Sequence, residues 1–223
     1  MQKRPAQLEL ALPKRGGRRP GAGRPRTRPH PGLIGKGVSH LQRAEFAARN
    51  PVHITQRMRP GVGHLRTQSR FALIQSALRD ASDRFGMRVV HFSVQGNHLH
   101  LIVEADGRRA LSRAMKGLAV RIAVGLNRLA KRRGTVFADR YHAHVLATPR
   151  EVANAVRYVL QNHAKHARRP LPARRQDPFA TSVAEPLHPP KVWLLRIGWT
   201  RAAEFRMAAL ARRRPGGMSP PMN

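Results

Sequence analysis

The chain has 223 residues, 43 Lys+Arg against 11 Asp+Glu, a net charge of +32 and a pI near 12. So strong an excess makes a polyanion the natural partner, and no segment is apolar over the length that a membrane-spanning helix needs. With no cysteine, thiol nucleophiles, Cys-ligated zinc and disulfides are all excluded.

Residues 1–48 are rich in Arg, Pro and Gly and read as a disordered basic arm. Within it Arg18, Arg19 and Arg24 lie in Gly-Arg-Pro surroundings, which can follow DNA phosphates or enter a narrow minor groove. The start carries no secretory apolar region, so a cytoplasmic location is expected. A folded domain is expected over 49–168, followed by a Pro/Arg-rich tail over 169–223. In that tail the stretch Val192-Trp193-Leu194-Leu195-Arg196-Ile197-Gly198-Trp199 is apolar enough to dock.

From Pro51, Val52, Ile54 and Met58 alternate with polar residues and predict a strand. Phe71, Ile74, Leu78, Ala81 and Phe85 recur at helical spacing, with Gly86 as the stop. Val89 to Val94 reads as a second strand. Gly96-Asn97 is expected to form a type II′ hairpin turn into a third strand, His98-Leu99-His100-Leu101-Ile102-Val103-Glu104. A long amphipathic helix carries Leu111, Met115, Leu118, Ile122, Leu126 and Leu129 and ends at Gly134. Tyr141 to Ala147 is a fourth strand, and Thr148-Pro149-Arg150-Glu151 is a capping box that opens a last helix. This order is that of an α+β, ferredoxin-like split βαβ sandwich with an antiparallel sheet, plus one added C-terminal helix on the open sheet face.

Side chains alternate along a strand, so His98 and His100 share one face and could supply two imidazoles to a metal, with Glu104 placed to orient one of them. On the last helix Val152, Val156, Val159, Leu160 and His163 make the apolar stripe. Asn154, Tyr158 and Asn162 form a polar row beside it, with Tyr158 and Asn162 one turn apart. A hydroxyl nucleophile beside a divalent ion is the equipment of phosphoryl transfer. Tyr141 with His142-Ala143-His144 is the internal rival, although Tyr141 and His142 should point to opposite faces. His53-Ile54-Thr55 and His91-Phe92-Ser93 offer a weaker phosphoesterase-like alternative. Arg113, Lys116, Arg121, Arg128, Lys131, Arg132 and Arg133 make the second helix a candidate phosphate-binding surface.

The residues Asn97-His98-Leu99-His100-Leu101-Ile102-Val103-Glu104, with Tyr158-Val159-Leu160-Gln161-Asn162 downstream, resemble the small single-tyrosine HUH transposases. More narrowly, they resemble the REP-associated tyrosine transposases. The likeness runs from about Pro51 to His166. It departs from the expected pattern at Gln95-Gly96, where relatives carry Met-Pro or similar. The resemblance implies nicking and joining of single-stranded or hairpin DNA through a 5′-phosphotyrosine, and a homodimer. It also implies Tyr158 as nucleophile, His98, His100 and Asn162 as metal ligands, and Mg²⁺ or Mn²⁺ as cofactor. Two imidazoles and an amide form a softer set than Mg²⁺ prefers, which favours Mn²⁺ and keeps zinc open. A non-catalytic hairpin-binding protein derived from such an enzyme is the alternative.

Overall fold

The computed structural model describes residues 41–166 and 177–201, with the side chains of the last core helix described as far as Asn162. The elements are β1 (Val52–Arg57), α1 (Gln68–Ala81), β2 (Met87–Val94), β3 (His98–Ala105), α2 (Arg108–Leu129), β4 (His142–Val145) and α3 (Pro149–His166). A short π-helical turn, Leu194–Gly198, follows. The strands form one antiparallel sheet in the order β2-β3-β1-β4. This is the ferredoxin-like arrangement expected from the element order.

Alternation along the strands builds two cores. Val52, Ile54, Phe92, Leu101 and Val103 project to one face, where α1 and α2 cover them with Ile74, Leu78, Leu118 and Ile122. Val90 and Ile102 project to the other face, under Val152, Val156 and Val159 of α3 and Leu194 and Leu195 of the tail. Each fully buried aliphatic side chain of this kind contributes about 1.5–3 kcal/mol. The added helix therefore lies where the sequence placed it, over the face that carries His98 and His100.

A bulge interrupts β2. Val89 pairs with Val103 and His91 with Ile102, so Val90 is an extra residue on its strand. Gln95, Gly96 and Asn97 connect β2 to β3, and Gly96 does not take a positive φ, so this is not the type II′ turn expected. The carbonyls of Gly96 and Asn97 instead accept from the backbone N–H groups of Leu65 and Met58. A Cβ on Gly96 would stand 2.9 Å from Nε2 of the exposed His64, so a larger residue there would push that ring aside.

The first helix ends at Ala81, earlier than its hydrophobic spacing suggested. Ser82 is extended, and Asp83 and Phe85 take positive φ in a tight turn that feeds β2, leaving Phe85 exposed. Gly86 serves that turn. Similarly α2 stops at Leu129, so Lys131, at φ +49°, Arg132 and Arg133 lie beyond the helix. The fourth strand is confined to four residues. The capping box of α3 forms as read: the Glu151 N–H donates to Thr148 Oγ1, and Glu151 Oε2 accepts from the N–H groups of Ala147 and Thr148. These donors, that of Ala147 foremost, hold the Glu151 carboxyl below its ordinary range.

The tail covers the outer edge of β2. Val94 N–H donates to Phe179 O, Thr181 N–H to Phe92 O and Leu187 N–H to Val90 O. Arg66 clamps Asp177 through two bonds of 2.7 and 2.9 Å. The carboxylate of Glu104 does not orient a histidine; it accepts from the N–H groups of Lys191 and Val192 and so anchors the apolar segment that docks against α3.

His91 is buried beneath this tail, 4% exposed, with Nδ1 3.3 Å from Thr181 Oγ1. Burial pushes its pKa down from 6.5 to about 4. Between those values the unfolded chain binds a proton that the native chain does not. The stabilisation is therefore complete above pH 6.5 and is lost as pH falls toward 4. From pH 7.5 to 5.0 His91 should cost about 2 kcal/mol. Urea unfolding of the wild type and His91→Gln at both pH values checks this: the variant should show the smaller acid-induced drop, and equal drops would refute it.

Candidate active site

β3 brings His98 and His100 to the α3 face, and their rings stand nearly perpendicular, with Nε2 atoms 3.0 Å apart. Each Nδ1 is engaged on its other side. That of His98 lies 2.8 Å from Asn97 Oδ1, and that of His100 lies 3.2 Å from Thr55 Oγ1 and 3.3 Å from His53 Nε2. An amide oxygen only accepts, so Asn97 favours the tautomer of His98 that carries its proton on Nδ1 and presents a lone pair at Nε2. Neighbouring ligands about 2.1 Å from one octahedral cation are separated by about 3.0 Å, so the spacing of this pair suits a shared divalent ion.

α3 sets Tyr158 over this pair within the same chain. Its ring meets His100 edge to face at a centroid distance of 5.1 Å and His53 at 5.8 Å. Tyr158 is 38% exposed, so a ligand from solvent can reach it. Asn162, one turn further on, is fully buried, and neither Oδ1 nor Nδ2 has a hydrogen-bond partner. It therefore lies on the buried side of α3 with Val152, Val156 and Val159, while Asn154 of the same polar row is exposed. His163 of the expected stripe lies outside the described side chains. A buried amide normally finds partners, and an unsatisfied one costs about 1–3 kcal/mol. The His98–His100 spacing fits a divalent cation, and the orphaned oxygen of Asn162, one turn of α3 beyond Tyr158, is a donor of the right kind for one. Among the described residues no three His, Asp or Glu side chains cluster as a metal site, so an amide would be needed beside the two imidazoles.

His53 and Thr55, which spacing along the chain does not tie to this site, hold the ring of His100 from β1. The signal was there, since both alternate out of the apolar face of their strand; the register was not. Thr55 pairs with His100 and His53 with Ile102. The pKa of His53 is lowered to about 4, first by burial and then by His144 and His142, which keeps it neutral near pH 7. Those two histidines are exposed on β4, opposite His53 and Thr55, so the second His-x-His pair flanks the same sheet face. Tyr141 points the other way, packing against the α1/α2 core. The motifs at His53 and His91 do not converge, because β3 separates their strands.

The candidate phosphate-binding residues of α2 lie across the sheet from Tyr158. Arg113, Lys116 and Arg128 are exposed, and Arg121 is paired with Asp80 at 2.8 Å. Arg18, Arg19 and Arg24 lie outside the described residues. Among the described residues no helix is long and apolar enough to cross a membrane.

No curated protein matches the chain. Among solved structures it resembles that of a REP-associated tyrosine transposase bound to a REP hairpin. The identity is 15%, the TM-score is 0.50, and 64% of this chain and 82% of that one are covered. A provisionally assigned transposase from Deinococcus radiodurans R1 shares 14% identity over 51% of this chain and 87% of its own, with a TM-score of 0.37. The family model for IS200-like transposases matches residues 53–162, a span running from the histidine of β1 to the buried asparagine of α3. The chain belongs to the IS200-like transposase family, a family of DNA-processing enzymes.

Proposed function

We propose that this protein nicks and rejoins single-stranded DNA at hairpins, using Tyr158 as the nucleophile and a divalent ion, Mn²⁺ or Mg²⁺, held by His98, His100 and Asn162. The observation that carries the reading is the approach of the Tyr158 ring to within 5.1 Å of His100, whose Nε2 lies 3.0 Å from that of His98. The hairpin-bound transposase among the structural relatives supports hairpin DNA as the substrate and the REP-associated branch as the nearer kinship.

In this mechanism the phenolic oxygen of Tyr158 attacks phosphorus as its proton passes to solvent. An O–P bond forms, the P–O3′ bond breaks, and the departing 3′ oxygen takes up a proton. The product is a 5′-phosphotyrosine and a free 3′-OH. Joining is the reverse, with an incoming 3′-OH displacing the phenol. The ion, when bound, supplies positive charge to the non-bridging oxygens as negative charge develops there. Thr55 and His53 steady the ring of His100, so its orientation needs no rearrangement during the reaction. Each protomer carries the whole set, so a homodimer would hold two such sites.

Incubation with end-labelled hairpin DNA carrying single-stranded flanks, in Mn²⁺, should yield a covalent adduct that survives SDS and disappears in EDTA. Hairpin binding with no adduct in Mn²⁺, Mg²⁺ or Zn²⁺ would overturn the enzyme and leave a nucleic-acid binder derived from one.

A further inference from the structure

Across the sheet from Tyr158 lies a cleft of about 490 Å³ lined by Arg43, Arg108, Arg109, Arg113, Arg140 and Tyr141. Gln42 and Ser112 complete its wall, and none of the lining side chains is acidic. Five guanidinium groups lining one hollow raise its positive potential, and an anion held there would relieve their mutual repulsion. Arg43 is held in place from two directions: its Nη2 donates to Tyr141 O at 2.6 Å, and its guanidinium carbon stands 3.9 Å over the Tyr141 ring. Arg108 donates from Nε to Glu45 Oε1 at 2.6 Å, a carboxylate outside the lining. The guanidinium groups are thus partly preorganised.

The start of α2 adds to this field. Its cap residue, Gly107, offers no side-chain acceptor, and its first turn holds no acidic residue but begins with Arg108 and Arg109. Positive side chains at the positive pole of a 22-residue helix are unfavourable by themselves. A bound phosphate would reverse the sign of that interaction.

The cleft is also well placed relative to the candidate active site. β4 is the sheet's edge strand; Ala143 and Val145 pack toward α2 with Tyr141, while His142 and His144 are exposed beside His53. A nucleic-acid strand passing over this edge would meet the arginines on one side and the histidines on the other.

We propose that this cleft is a phosphate-binding site that takes a backbone phosphodiester of the DNA substrate away from the reacting one. The proposal rests on the DNA-processing reading above, but it concerns binding and not chemistry. Guanidinium groups match phosphate oxygens with paired N–H donors, and Tyr141 and Ser112 offer hydroxyl groups beside them.

The test is fluorescence anisotropy of the full-length protein with a fluorescein-labelled DNA hairpin carrying single-stranded flanks, in EDTA, at a series of salt concentrations. Arg109→Ala/Arg113→Ala is compared with a control of equal charge, Arg79→Ala/Arg84→Ala; all four residues are exposed. Losing two phosphate contacts should weaken binding by about tenfold and reduce the slope of log K against log salt by about 1.4 in the cleft variant only. Equal losses in the two variants would overturn the cleft and leave only diffuse charge. The adduct assay separates the readings. A cleft-specific loss without any adduct from the wild type sinks the enzyme but keeps the phosphate site. Equal losses with a normal adduct do the opposite.

Discussion

Tyr158→Phe should abolish the covalent DNA adduct, lowering its rate by at least a thousandfold, about 4 kcal/mol of transition-state stabilisation. The substitution removes the one atom that would bond to phosphorus and keeps the ring. Its edge contacts with His100 and His53 survive, so the residues that would hold the ion keep their surroundings. At 38% exposure the lost hydroxyl should cost no more than about 1 kcal/mol of stability, a shift of about 2–4 °C in Tm. Hairpin affinity in EDTA should be unchanged. The assay is a time course of SDS-resistant adduct in Mn²⁺ with the thermal melt alongside. An adduct formed by the variant at the wild-type rate would move the nucleophile elsewhere, and an equal loss of adduct and of folded protein would remove the chemical interpretation.

Asn162→Leu should make the protein more stable and much less active. In the native chain this amide is fully buried with both polar atoms unpartnered, a state that costs about 1–3 kcal/mol. Leucine has nearly the same size, carries no polar atom and faces the same apolar stripe as Val159. Tm should therefore rise by several degrees in EDTA. If the amide oxygen completes the ion's ligand set, adduct formation should fall at least a hundredfold, and the stabilisation that Mn²⁺ gives the wild type should disappear. A purely structural asparagine would behave differently: the variant would keep its Mn²⁺ response and its activity. Thermal melts with and without Mn²⁺, together with the adduct assay, distinguish the two.

Most of the architecture was legible because the strands alternate cleanly and the helices keep their stripes. Leu99, Leu101 and Val103 against His98, His100 and Ile102 divide the sheet's two faces unambiguously, and the Thr148–Glu151 box marks the start of α3. Misreadings arose where local chemistry outweighs periodicity. Phe85 continues the spacing of α1, but Ser82 and the positive-φ turn at Asp83 stop the helix four residues earlier. Gly96 invites a φ-based explanation, whereas the crowding is with His64, a residue 32 positions away. The site was half visible. His98, His100 and Tyr158 could be proposed from spacing and resemblance, but Thr55 and His53 reach His100 through strand register, which one chain's sequence does not display. Helical spacing puts Asn162 in one polar row with Asn154 and Tyr158, and only its burial separates it from Asn154. The arginine cleft joins residues 43, 108–113 and 140, from three separate parts of the chain.

The bulge at Val90 decides what the two sides of the sheet can be. Before it, Met87 and Val89 point toward α1 and α2; after it, Phe92 and Val94 do, so odd positions give way to even ones. Were β2 paired without the bulge, with Val90 taking its turn in the ladder and pairing at the hairpin end kept, Met87 and Val89 would swing outward. Were pairing at the other end kept, His91, Ser93 and Gln95 would be driven into oil and the aromatic ring of Phe92 would be turned against His100's neighbours. The doubled position at the bulge thus acts as a parity switch, letting one strand serve a greasy interior along its whole length while Val90 and the strand's polar side chains go to the opposite surface.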